Sequence, residues 1–307
     1  MIMIIILGVK LSRLTAPIVG TLSFVALAGC GSSDDGGTKT IAATTGITAA
    51  IAERVASPGV EVEQIVPDGA SPHDFELSAQ DRQRLEEADL VVANGSGLEA
   101  GIPLDEIDAP EWTLTEHAGE LRRPEEVEGG DEEPGTTDPH VWMDPTRVAG
   151  ALPSLAEAVA DLDPEHAGEY RRRARNYARR LDALDGEIAD TLAVVPARNR
   201  ELVTSHDSLG YLADRYELEV AATAFPATGA EAEASAARLH DVEEVVRASG
   251  VPAVFAQEGD DSEALRMVAE QTGVEVNYGL MVESPAAAGT YEEMLRRDAE
   301  LIARSLR

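Results

Sequence analysis

VEVEQIVPDGASPHDFELSAQDRQRLEEADLVVANG, residues 60 to 95, is the stretch that decides the fold. Residues 60 to 66 alternate in character as a half-buried strand does. The turn-rich PDGASPHD comes next, carrying His73. AQDRQRLEEA then reads as a helix, with Ser78 three residues before Asp81 as a capping-box-like start. DLVVANG, residues 89 to 95, is a buried strand that runs into a turn. Strand, helix and strand in succession argue for a parallel α/β sheet. In such sheets ligands gather beyond the carboxyl ends of the strands, where loops and helix N-termini converge. His73 lies in a loop of that kind.

The same alternation extends in both directions. TIAATTG (40 to 46) is β-prone, and ITAAIAERVAS after it has helical spacing. RRPEEVEGGDEEPGTTDPH breaks the pattern: it is acidic, rich in Gly and Pro and almost without apolar residues, so 122–138 is expected to be a mobile loop. Apolar residues return in DPHVWMDP, where Asp144 and Pro145 suit the N-cap and first position of a helix. From about 146 the chain is mostly helical. After Asp163-Pro164, residues Tyr170, Ala174, Tyr177, Leu181, Leu184 and Ile188 recur at three- and four-residue spacing, the stripe of an amphipathic helix. RELVTSH (200 to 206) starts a second series of alternating strands and helices that closes with TYEEMLRRDAELIARSL. The expected architecture is α/β, with two parallel-sheet lobes, 40–162 and 196–307, joined by a stiff helix over 163–195. No sequence repeat relates the halves.

Charge narrows the partners. Asp and Glu outnumber Lys and Arg by 57 to 25, a formal net charge of -32 over 307 residues. That argues against nucleic acid and against an anionic membrane surface. It fits cationic ligands, and equally a solubility or compositional bias. The single cysteine, Cys30, allows no intramolecular disulfide. Lys10 and Arg13 precede the mostly apolar APIVGTLSFVALAGC, so residues 1–29 read as an export signal. The ending LAGC resembles the bacterial lipobox, in which the cysteine is lipidated and becomes the first mature residue. A retained membrane anchor is the alternative, but the apolar run after Arg13 is short for a span. Small, polar residues over 30–39 read as a tether.

Six histidines remain after the signal. His73, His140 and His206 sit at apparent strand ends or strand-helix loops. His117, His166 and His240 fall in polar or irregular stretches and read as solvent-facing. Neutral imidazoles suit zinc and related metals, and three of them leave a fourth position for a carboxylate or water. No local spacing rule joins the three, so pattern alone leaves a metal site and ordinary loop histidines both open.

Several segments together carry a family likeness. VPDGASPHDFELSAQDRQRLEEADLVVANGSGLE, DPHVWMDP, SHDSLGYLADRYEL and AGTYEEMLRRDAELIARSL resemble, in that order, segments of the zinc-type metal-binding lipoproteins of bacterial zinc and manganese ABC importers. The likeness covers roughly 39 to 305. It implies that His73, His140 and His206 are metal ligands, held in a cleft between two lobes on a rigid helix. A histidine in the third segment leans toward Zn2+ over Mn2+, because manganese favours more oxygen. The family often supplies an aspartate after the last strand. Here VNYGLMVES has no acid at Tyr278, Gly279 or Leu280. Glu283, Glu258 or water are the candidates for the fourth position.

The resemblance therefore implies an exported protein, lipid-anchored through Cys30 to the outer face of the cytoplasmic membrane. It would bind zinc as a monomer, hand it to an ABC permease and perform no catalysis. Binding is expected to weaken as pH falls through the imidazole range. The alternatives are a manganese- or iron-binding importer component, a lipid-anchored zinc hydrolase, and a surface adhesin on the same fold.

Overall fold

The computed structural model describes residues 38–56, 59–123, 137–225, 236–257 and 263–307. The expected export signal, Cys30, most of the acidic loop and Glu258 lie outside the described residues.

β1 (Lys39–Ala43) leads into α1 (Gly46–Val55), whose N-terminus is closed by a reciprocal Thr45–Thr48 capping box. β2 (Val60–Gln64), α2 (Ala79–Glu87) and β3 (Leu90–Ala93) follow as the opening stretch implies. At α2 the Ser78 hydroxyl caps the Asp81 amide, but it donates to the Asp81 carboxylate. Only half of the box therefore forms. β4 (Glu111–Thr113) is an additional strand, too short for any alternation to announce it, and α3 (Leu114–His117) is a single turn. The four strands lie in the order β2-β1-β3-β4, all parallel.

α4 (Pro145–Leu162) begins at the Asp144 cap, whose carboxylate accepts from the Thr146 amide at 2.8 Å. A tight turn at Pro164–His166 separates it from α5 (Ala167–Leu192), which lies inside the 163–195 span expected for the connector. At 26 residues α5 is about 39 Å long. Its buried residues are the six of the sequence stripe and Leu192. The second series is β5 (Glu201–His206), α6 (Gly210–Tyr216), β6 (Glu219–Phe225), α7 (Ala236–Ser249), β7 (Ala253–Gln257), α8 (Glu263–Thr272), β8 (Glu275–Leu280) and α9 (Tyr291–Ser305). Its sheet has the parallel order β6-β5-β7-β8. The two sheets therefore share one topology, although no sequence repeat betrays it.

Side chains alternate along each central strand, and so does the core they enter. Leu90 and Val92 of β3 face one cluster while Val91 faces another with Ile65, Leu85 and Ile102. Ala253 and Phe255 of β7 enter the same central cluster as Leu90, whereas Val254 and Ala256 face Leu265 and Val268. Each sheet thus has an outer core of its own and an inner face in one shared core, which also takes in α1, α4, α5 and α9. α9 returns from the second lobe to the first: Glu292 pairs with Arg54 of α1 at 3.2 Å and accepts from the Tyr177 hydroxyl of α5 at 3.3 Å. A shared, close-packed core resists rotation of one lobe against the other.

Candidate metal centre

In each sheet the parallel strands deliver their carboxyl ends to one edge, and two of the three histidines lie at such an end or in the loop directly after it. His73 stands in the loop after β2. That loop is shaped by Gly69 at φ +81° and by Gln64, whose amide donates to the Val66 carbonyl at 2.6 Å and to Asp68 at 3.1 Å. His206 is the last residue of β5, its carbonyl held by the Thr204 hydroxyl at 2.8 Å. His140 lies beyond β3, where Asn94 at the strand's end donates to the Pro139 carbonyl at 3.0 Å. The turn at Val141–Met143 after it is fully buried.

His140 is fully buried; His73 and His206 are partly so. His140 Nε2 is 3.4 Å from His73 Nε2 and 3.3 Å from His206 Nε2. One ligand atom from each residue can be chosen such that all three lie within 4.8 Å of one another. Two imidazole nitrogens bound tetrahedrally at zinc–nitrogen distances of about 2.05 Å stand about 3.3 Å apart. The same bonds at right angles would place them about 2.9 Å apart. Three imidazole nitrogens at these separations can close on one divalent metal ion.

Electrostatics keep the nitrogens free to ligate. Burial lowers His73 to about 4, helped by its His140 neighbour and opposed by Asp74 and Asp138. Burial alone lowers His140 to about 3. Both imidazoles are neutral throughout the range where an ordinary histidine titrates. The expected loss of binding through the imidazole range is therefore displaced downward for these two, because their burial penalises the imidazolium.

Of the two carboxylates considered for the fourth position, only Glu283 is described. It lies just past β8, and its Oε1 accepts from Ser71 Oγ at 3.4 Å, two residues from His73. Among the described residues no carboxylate joins the three histidines in their tight group. Burial raises Glu283 to about 7, with the Ser71 hydrogen bond opposing and Asp74 reinforcing the shift. Its segment is rigidly seated. Asp298 accepts from the Met281 amide at 2.9 Å, and Trp142 Nε1 donates to the Val282 carbonyl at 2.8 Å. The Tyr291 hydroxyl donates to the Trp142 carbonyl.

His117, His166 and His240 are exposed, as their contexts suggest. His117 stacks on Trp112, His166 pairs with Asp163 at 2.7 Å, and His240 lies 3.6 Å from Glu244. Sequence reasoning passes over Asp138, Arg122 and Tyr211, which surround His140. An acid two residues before a candidate ligand is a faint signal for Asp138. The other two leave none, because their proximity is purely tertiary. Asp138 is fully buried, its Oδ1 is 2.8 Å from His140 Nδ1, and burial pushes its carboxyl up to about 6 against the opposing His140 amide and Arg122.

Comparison with known proteins agrees with this picture. The family model described as ZnuA, zinc-uptake complex component A periplasmic, matches residues 41–305. The chain is 29 % identical over 290 residues to the iron-binding protein YfeA of Yersinia pestis, covering 92 % of this chain and 91 % of the relative. It is 25 % identical over 316 residues to the manganese ABC transporter substrate-binding lipoprotein PsaA of Streptococcus anginosus, covering 96 % and 99 %. The solved periplasmic zinc binding protein TroA from Treponema pallidum superposes with a TM-score of 0.79 at 25 % identity, over 88 % of this chain and 99 % of that one. With that match spanning nearly all of both lobes, the chain belongs to the ZnuA family of periplasmic metal-binding proteins, the non-enzymatic solute-binding components of metal ABC importers.

Proposed function

We propose that the chain is an extracytoplasmic zinc-binding protein, lipid-anchored through Cys30, that delivers the ion to an ABC permease. His73, His140 and His206 hold the ion, and Glu283 completes the set after its side chain turns from Ser71. The observation that carries the reading is the spacing of the facing nitrogens, 3.3 and 3.4 Å, together with two imidazoles kept neutral by burial. Zinc is favoured over manganese by three nitrogen donors. The shared core and α5 support delivery with little lobe rotation, so release would rest on local movement of the ligand-bearing loops.

A second reading, manganese or iron as the cargo, is favoured by the relatives named for those ions and by the nearby Glu283 oxygen. Chelator competition with the full chain, purified in detergent and stripped of metal, separates the two. One-to-one zinc binding that outcompetes manganese and iron(II) and collapses in His140→Ala is expected. Manganese or iron outcompeting zinc would select the second reading. No binding of any of the three would refute both.

A further inference from the structure

We propose that Asp138, Arg122 and Tyr211 form a positioning unit that locks His140 in its ligating tautomer and ties it to the lobe that carries His206. The inference rests on the metal-binding reading above. Asp138 Oδ1 stands 2.8 Å from His140 Nδ1 and 2.9 Å from its backbone nitrogen. An ionised carboxylate only accepts, so both nitrogens donate to it. Nδ1 then carries the proton, and the Nε2 lone pair points at the His73 and His206 nitrogens. A carboxylate behind a ligating imidazole fixes the ring and raises its basicity.

Asp138 is itself held at its amide, its carboxylate and its carbonyl. Its amide donates to the Arg122 carbonyl at 2.9 Å, and its Oδ2 faces the Arg122 guanidinium at 3.6 Å. Its carbonyl accepts from the Tyr211 hydroxyl at 2.9 Å, and that hydroxyl accepts from the Arg122 amide at 2.8 Å. Tyr211 lies on α6, the helix that directly follows His206, while Arg122 and Asp138 belong to the first lobe. Arg122 also reaches Asp214 of α6 at 3.2 Å. Gly210 makes the approach possible, because a Cβ there would stand 2.5 Å from the Arg122 guanidinium. One phenol and one guanidinium therefore place a ligand of the first lobe in register with a ligand of the second. Without Asp138 the ring loses its acceptor, and the tautomer with the proton on Nε2, which cannot ligate through that atom, becomes available.

The test uses the full chain in detergent, stripped of metal, with zinc affinity read by chelator competition and the His140 tautomer read by long-range 1H–15N spectra. Asp138→Ala is expected to bind zinc roughly 10- to 100-fold more weakly and to populate the Nε2–H tautomer. Asp138→Asn keeps an oxygen acceptor, so it is expected to retain the Nδ1–H tautomer and lose less affinity than the alanine variant. Tyr211→Phe removes only the hydroxyl, with its two hydrogen bonds, and is expected to cost roughly 2- to 10-fold. If Asp138→Ala does not fold, Asp138→Asn and Tyr211→Phe decide. Wild-type affinity and tautomer in folded Asp138→Ala, or, where that variant does not fold, wild-type affinity in both Asp138→Asn and Tyr211→Phe, would overturn the positioning role. Absence of metal binding by the wild type would instead overturn the metal reading beneath it.

Discussion

Replacing Glu283 by glutamine makes the fourth position measurable through pH. Glu283 is raised to about 7 by burial, whereas His73 and His140 are lowered to about 4 and about 3. A cation binds the carboxylate and not the carboxylic acid, so a ligand raised to about 7 loses its share of the affinity as pH falls through 7. The two lowered imidazoles contribute nothing to that loss until pH nears 4. For one proton displaced at pKa about 7, the apparent affinity falls about 80-fold between pH 7.5 and 5, or roughly 2.6 kcal/mol. Over the same interval His73 accounts for a change of about 10 %. The assay is chelator competition at half-unit pH steps, with buffers that do not bind zinc. Glutamine has the same shape without the titrating proton, so the difference between the two pH profiles is the share of Glu283. Wild type is expected to steepen relative to Glu283→Gln by close to one proton per ion below pH 7. Parallel profiles would refute Glu283 as a ligand and leave water for the fourth position.

Two further predictions concern the scaffold. A Cβ at Gly101 would stand 2.0 Å from the Phe75 carbonyl oxygen, so Gly101→Ala must displace the loop that carries His73. It is expected to destabilise the metal-free protein by about 1–3 kcal/mol and to weaken zinc binding, checked by urea unfolding and chelator competition. Leu184 of α5 is fully buried in the core shared by both lobes. Leu184→Ala is expected to cost about 2–5 kcal/mol and to shift one common unfolding transition, checked by calorimetry with probes in each lobe. Two separated transitions would contradict a shared core.

The sequence alone determined the parts of this protein that depend on short-range chemistry. The stretch from 60 to 95 specifies strand, loop, helix and strand because alternation, a capping serine and turn residues act over a few neighbours. The α5 stripe from Tyr170 to Ile188 is likewise local, and its six positions are buried. His73 and His206 are legible from the strands they follow or end, whereas His140, which no strand directly precedes, is marked only by the family likeness of the segments. Only tertiary structure decided the rest. β4 is three residues long and becomes a strand only by lying beside β3. The two sheets repeat one topology without repeating a sequence, since many apolar side chains satisfy the same alternation. The low imidazole pKa values, the raised Glu283 and the Asp138–Tyr211–Arg122 contacts arise between residues up to 212 positions apart. Desolvation and hydrogen bonding depend on who is near in space, and no local pattern along the chain encodes that.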